Sequence, residues 1–197
     1  FYADFGIHYE FNTTGNQKWA AGLVFAPSLQ VNHENNLTYS NSSTSEGVDK
    51  SYHSRTQYLP MHIGTGISMT TERWVVTTDY NYLDWSRNTS SYTSMKYENQ
   101  HKLNIGGAYI TNPRLPRSTE LMGGIGLSNS YINLRGGKMK YLEVSAGASF
   151  PIRYSYLSLG ATWRKQINSR SSLMQESRFS MNLNITFGER ISRSKLR

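Results

Sequence analysis

The chain repeats one short pattern from end to end: about ten residues with apolar side chains at every second position, then a polar turn. Its start shows the pattern without a break. Phe1, Ala3, Phe5, Ile7, Tyr9 and Phe11 alternate with Tyr2, Asp4, Gly6, His8 and Glu10. Successive side chains of a strand point to opposite faces, so one face of this segment is apolar and the other carries acids and a histidine. Strands are expected at roughly 1–11, 19–31, 58–69, 74–83, 98–110, 119–130, 140–150, 157–165 and 178–188, and none of the intervals between them has a helical apolar period. This is the signature of an all-β, antiparallel, transmembrane outer-membrane β-barrel, with lipid outside and a polar lumen inside.

Composition agrees with that reading. Only 37% of the 197 residues are hydrophobic, yet Tyr 14, Phe 7 and Trp 4 are many, as aromatic girdles at two membrane interfaces require. No apolar run approaches the ~18 residues of a transmembrane helix, a test that a strand escapes because half of it faces the lumen. Cysteine is absent, which removes disulfides and thiolate metal sites. A net charge of +8 invites a nucleic-acid reading, but the basic residues are scattered through turns and loops apart from Arg190, Arg193, Lys195 and Arg197. The expectation is therefore no nucleic acid, and two regions: a barrel segment over 1–188 and a basic periplasmic tail over 189–197.

Side chains set the register. Pairing Met69 with Trp74 puts Ile67 opposite Val76, Ile63 opposite Tyr80 and His62 opposite Asn81; a second hairpin pairs Phe150 with Leu157, Ala148 with Leu159 and Ala146 with Ala161. The connections 12–18, 70–73, 111–118 and 151–156 are short, and 32–57, 84–97, 131–139 and 166–177 are longer and rich in Ser, Asn and Thr. Short turns are periplasmic and long loops extracellular in outer-membrane barrels. Phe11, Trp19, Trp74, Tyr109, Phe150 and Phe187 fall beside the short set or the tail. By this count the C-terminus is periplasmic and Phe1 extracellular, so an odd number of strands is expected from upstream sequence or another chain.

The stretches "LPMHIGTGISMTTERWVVTTDYNYLDWS" (59–86), "HKLNIGGAYI" with "TNPR" (101–114) and "EVSAGASFPI…YLSLGATWRKQ…FSMNLNITFGER" (143–190) resemble the C-terminal portion of the long-chain fatty acid transporter (FadL-like) family. The likeness is to its branch of hydrophobic-compound uptake and outer-membrane accessory proteins. It implies a fourteen-stranded barrel of the cell outer membrane of a Gram-negative bacterium, with passive uptake of small hydrophobic molecules as its function. The alternative is a non-transporting adaptor or accessory subunit of a secretion or uptake complex. The tail lacks the aromatic pair common in that branch, and the family's plug and ligand-gripping loops match no numbered position here.

Candidate ligand or lumen residues are Asp4, His8, Glu10, His62, Asp79, Asn81, Glu143 and Arg164. Catalysis is not expected. His62, Ser68 and Asp79 could be drawn as a triad, but Ser68 lies about three rungs from His62, beyond hydrogen-bond reach. A charge ladder bracing the lumen is the simpler role. His8, His33, His53, His62 and His101 lack metal-ligand spacing, leaving only a calcium site in the acid-containing 32–57 loop to consider, and no cofactor is expected. Glycines inside strands (Gly64, Gly66, Gly106, Gly107, Gly123, Gly124, Gly126) mark strand curvature or room in the lumen, and Pro27 and Pro60 mark a bulge or edge near the extracellular rim. Expected partners are outer-membrane lipid and lipopolysaccharide, a small hydrophobic ligand under the transport reading, and other outer-membrane or periplasmic protein subunits under the adaptor reading.

Overall fold

The computed structural model describes residues 2–13, 17–31, 34–40, 47–53, 57–90, 94–115, 117–134, 137–152, 155–168 and 175–187, with side chains in 34–53 and at 168 and 187 left aside. Nine long strands form one sheet: β1 (Phe5–Thr13), β2 (Gln17–Ala26), β7 (Met61–Thr70), β8 (Trp74–Asp84), β10 (Gln100–Ile110), β11 (Glu120–Asn129), β13 (Lys140–Ile152), β14 (Ser155–Asn168) and β15 (Ser177–Phe187). Each pairs antiparallel with the next, in that order. The nine expected strands are thus present. Among the described residues the sheet is open, with β1 and β15 at its edges, so closure into a barrel is not seen.

Six short strands lie on the side of the long connections. They form the ribbons β3 (Leu29–Val31) with β6 (Gln57–Leu59), β4 (Glu34–Ser40) with β5 (Gly47–His53), and β9 (Met95–Tyr97) with β12 (Ile132–Leu134). In the sequence these stretches fall within the long connections or at the ends of expected strands. β4 and β5 are mainly polar, and the other four have only three residues each, too few to show a period. Pro27 separates β2 from β3, and Pro60 separates β6 from β7. A residue without an N–H cannot extend the ladder, so the two prolines mark where the large sheet ends and the ribbon begins.

Two faces run across all nine strands. One rung reads Tyr9, Ala21, Ile67, Thr78, Ile105, Ile125, Val144, Trp163 and Phe179. The neighbouring rung on the other face reads His8, Gly22, Gly66, Asp79, Asn104, Gly126, Glu143, Arg164 and Arg178. Nothing described covers the apolar face. Ile7 is 73% exposed, Ile125 56% and Met181 78%, and among the described residues the buried apolar ones are only Ala26 and Tyr141. A soluble domain would bury such a face against a second layer.

Rings gather toward the short turns, where Phe11 stacks on Trp19 at 6.4 Å and Trp74 lies 4.7 Å from Tyr109 between ring centroids. At the opposite end of the same face the Tyr80 hydroxyl meets His101 Nδ1 at 2.7 Å, with Tyr82 packed on that imidazole.

One register needs correction. Met69 pairs with Val76, Ile67 with Thr78, Ile63 with Tyr82 and His62 with Leu83, two residues from the expected pairing. The Thr71 backbone N–H donates to the Trp74 carbonyl at 2.8 Å, and the Trp74 N–H to Thr71 Oγ1 at 2.9 Å. These bonds close the hairpin around Glu72 and Arg73 instead of across the whole tetrapeptide. A shift of two keeps every side chain on its expected face. The second hairpin has the expected pairs, Phe150–Leu157, Ala148–Leu159 and Ala146–Ala161.

Candidate functional site

The polar face gathers most of the candidate residues. His8, Asp79, Glu143 and Arg164 share the rung given above, and Asn81 lies on the next one. Although His62 is not opposite Asn81, its Nε2 donates to Asn81 Oδ1 at 2.8 Å along a diagonal. Asn81 Nδ2 then donates to Asp79 Oδ1 at 2.9 Å, and Asn104 Nδ2 donates to the same oxygen at 3.0 Å. Two amides and an imidazole thus hold one carboxylate in a polar chain across β7, β8 and β10.

Glycine makes this chain possible. Gly64 stands opposite Asn81. A Cβ at Gly64 would come within 2.9 Å of Asn81 Oδ1 and 3.3 Å of His62 Nε2. The same arrangement recurs where Asn104 Oδ1 lies 2.7 Å from the Cβ position of Gly126, its partner on β11, and where Asn182 crowds that of Gly160. Gly64, Gly126 and Gly160 are therefore seats for cross-strand asparagines, whereas Gly66, Gly107 and Gly147 face backbone carbonyls of the neighbouring strand.

The remaining candidates disperse. His8 and Glu10 lie on the β1 edge with Nδ1 and Oε1 3.9 Å apart, both well exposed. Asp4 precedes β1. Beside it, the Tyr2 phenol is pushed up from its ordinary pKa, by lost solvation first and then by the Asp4 carboxylate. Glu143 and Arg164 are cross-strand partners, but the Arg164 guanidinium lies over the Tyr141 ring, 4.1 Å from its centroid. Tyr141 in turn donates its hydroxyl to Glu176 Oε2 at 3.2 Å. A mixed stack thus stands where a simple charge ladder was expected. His62 and Ser68 are six residues apart on β7, about 20 Å along a strand, so the arrangement assembles no nucleophile–base pair there. The 32–57 cation site and the basic tail lie outside the described side chains.

A second cluster, missed from sequence, orders the rim on the long-connection side. Asn129 accepts from the His101 N–H at 2.6 Å through Oδ1 and donates to the Asn99 carbonyl at 2.7 Å through Nδ2. Asn99 reaches the Tyr82 hydroxyl at 2.8 Å and the Trp85 N–H at 3.2 Å. Glu98 accepts from Asn133 Nδ2 at 2.6 Å and pairs with Lys138 at 3.5 Å. Trp85 stacks on Tyr131 at 4.5 Å and on Tyr97 at 6.3 Å. The available signal was the density of Asn and aromatic residues in segments that carry no alternation.

The sequence model of the BamG family matches residues 1–194. That match, over nearly the whole chain, overturns the resemblance to the long-chain fatty acid transporter family, and with it the support for a transport function. Strand and turn patterns with in-strand glycines recur among β-sheet membrane proteins, so they carried a likeness of architecture, not of family. No curated protein matches the chain.

Proposed function

This chain belongs to the BamG family, and from that premise we propose that it is a non-transporting accessory subunit in outer-membrane protein assembly, set in the membrane by its sheet. The family match is the observation that carries this reading; the family name points to an assembly-related component that associates with the Gram-negative outer membrane and partners other assembly proteins.

Physical features support it. An uncovered apolar face needs a non-aqueous neighbour. The strands of the large sheet run from 9 to 14 residues, the length needed to cross a bilayer at a tilt. Aromatic rings at both ends of the apolar face suit two membrane interfaces. The ribbons and the Asn-braced rim then lie outside the cell, with the 189–197 tail in the periplasm. A rim held by side-chain hydrogen bonds offers a partner a preformed surface, with little ordering cost on binding. The polar-face network works as lumen bracing, without covalent chemistry.

Capture of the native protein through an epitope in the 32–57 connection, made on intact cells before mild solubilisation, tests placement and partnership together. The expected outcome is an accessible epitope and a protein partner in fixed stoichiometry. An epitope reached only after the envelope is opened reverses the orientation. A chain recovered alone contradicts the accessory role.

A further inference from the structure

The apolar face carries a groove of about 940 Å³ where the rim overhangs it. Its floor is Tyr80, Leu103 and Leu127, outward side chains of one rung across β8, β10 and β11, and Ile167 of β14 also lines it. Its polar lining includes Lys138 and Lys140. Glu98, another lining residue, is matched by Lys138 at 3.5 Å, so Lys140 adds a cation with no second carboxylate in the lining to oppose it. Lys165 stands one rung position beyond Leu142, the β13 neighbour of Leu127. Aliphatic walls beside two lysines, with Lys165 a rung position away, complement an amphiphile with acyl chains and an anionic head.

We propose that this groove binds a phosphorylated glycolipid of the outer leaflet, the lipid A moiety of lipopolysaccharide, with the acyl chains on Leu103, Leu127 and Ile167 and a headgroup phosphate on Lys138 and Lys140. The commitment to that lipid rests on the membrane placement and orientation proposed above, which put the groove in the outer leaflet. Charge complementarity carries the argument: Glu98 offsets one of the two lysines, and a neutral lipid or a detergent would leave the remaining positive charge of the lining unmatched.

The test uses the native protein with any co-purifying partners, stripped of lipid in detergent, and titrated with bis-phosphorylated lipid A, with its dephosphorylated form and with phosphatidylglycerol, binding being read by native mass spectrometry. Lipid A with its phosphates is expected to bind about tenfold or more tightly than the dephosphorylated form. The double change Lys138→Ala and Lys140→Ala should erase that preference while the sheet circular dichroism stays intact, and Lys140→Arg should keep it. Equal binding of the two lipid A forms, or a preference that survives the double change, overturns the proposal. Phosphatidylglycerol bound as tightly as lipid A overturns the choice of glycolipid. Membrane fractionation of the same cells separates the two readings: recovery away from the outer membrane sinks the placement, whereas recovery in it without phosphate discrimination sinks this inference alone.

Discussion

Arginine in place of Ile125 is expected to cost about 2–4 kcal/mol of folding stability in lipid, the range for a cation on the lipid face near the bilayer midplane. Ile125 sits in the middle of the apolar rung between Ile105 and Val144, 56% exposed with nothing described to cover it. In water, a residue so exposed would tolerate arginine within about 0.5 kcal/mol. The comparison is Thr77→Arg, on the polar face between Ser68 and Gly106 and two residues from Asp79, where a cation should be nearly neutral. Urea unfolding of both variants of the full protein in lipid vesicles reads the difference. A large loss for Ile125→Arg alone is expected; equal, small losses would mean that the apolar face meets water.

Gly147→Ala is expected to destabilise by about 1–3 kcal/mol, the usual cost of overpacking. A Cβ there would lie 2.9 Å from the Leu159 carbonyl oxygen and 3.5 Å from the Gly160 Cα, both backbone atoms held in the β13–β14 ladder. Gly123→Ala is the control. Its nearest atom, the Ser145 carbonyl oxygen, is 3.8 Å away, an ordinary contact. Denaturant midpoints of the two variants should separate clearly, and a Gly147→Ala variant as stable as the Gly123→Ala one would show that the strands move apart at little cost.

Faces were readable from the sequence and pairings only partly so, for a physical reason. Alternation decides which side of a sheet a residue occupies, and a slip of two residues leaves that unchanged. So Ile63, Ile67 and Met69 were placed on the correct face even with the wrong partners, and the Thr71–Trp74 hydrogen bonds that set their register leave no mark in an apolar pattern. At Phe150–Leu157 the pairing expected from alternation is the one observed.

The polar face was readable in composition, since His62, Asn81 and Asp79 all lie on it. The role of Gly64 needed geometry, because a glycine's purpose depends on the side chain opposite. The Asn99–Asn129 rim and the β9–β12 ribbon were beyond reach, the first being built from polar side chains and the second from three-residue strands, with partners about 30 or more positions away. The family assignment failed for a related reason: architecture dictates much of the pattern in such strands, and the pattern alone does not separate families that share it.

The central claim is a role in assembling other outer-membrane proteins, and controlled depletion of this protein followed by quantitative proteomics of the isolated outer membrane tests it most directly. A joint fall of many unrelated outer-membrane β-sheet proteins, before growth slows, is the result expected of an assembly subunit. An outer membrane whose protein content stays unchanged while this chain disappears would contradict it.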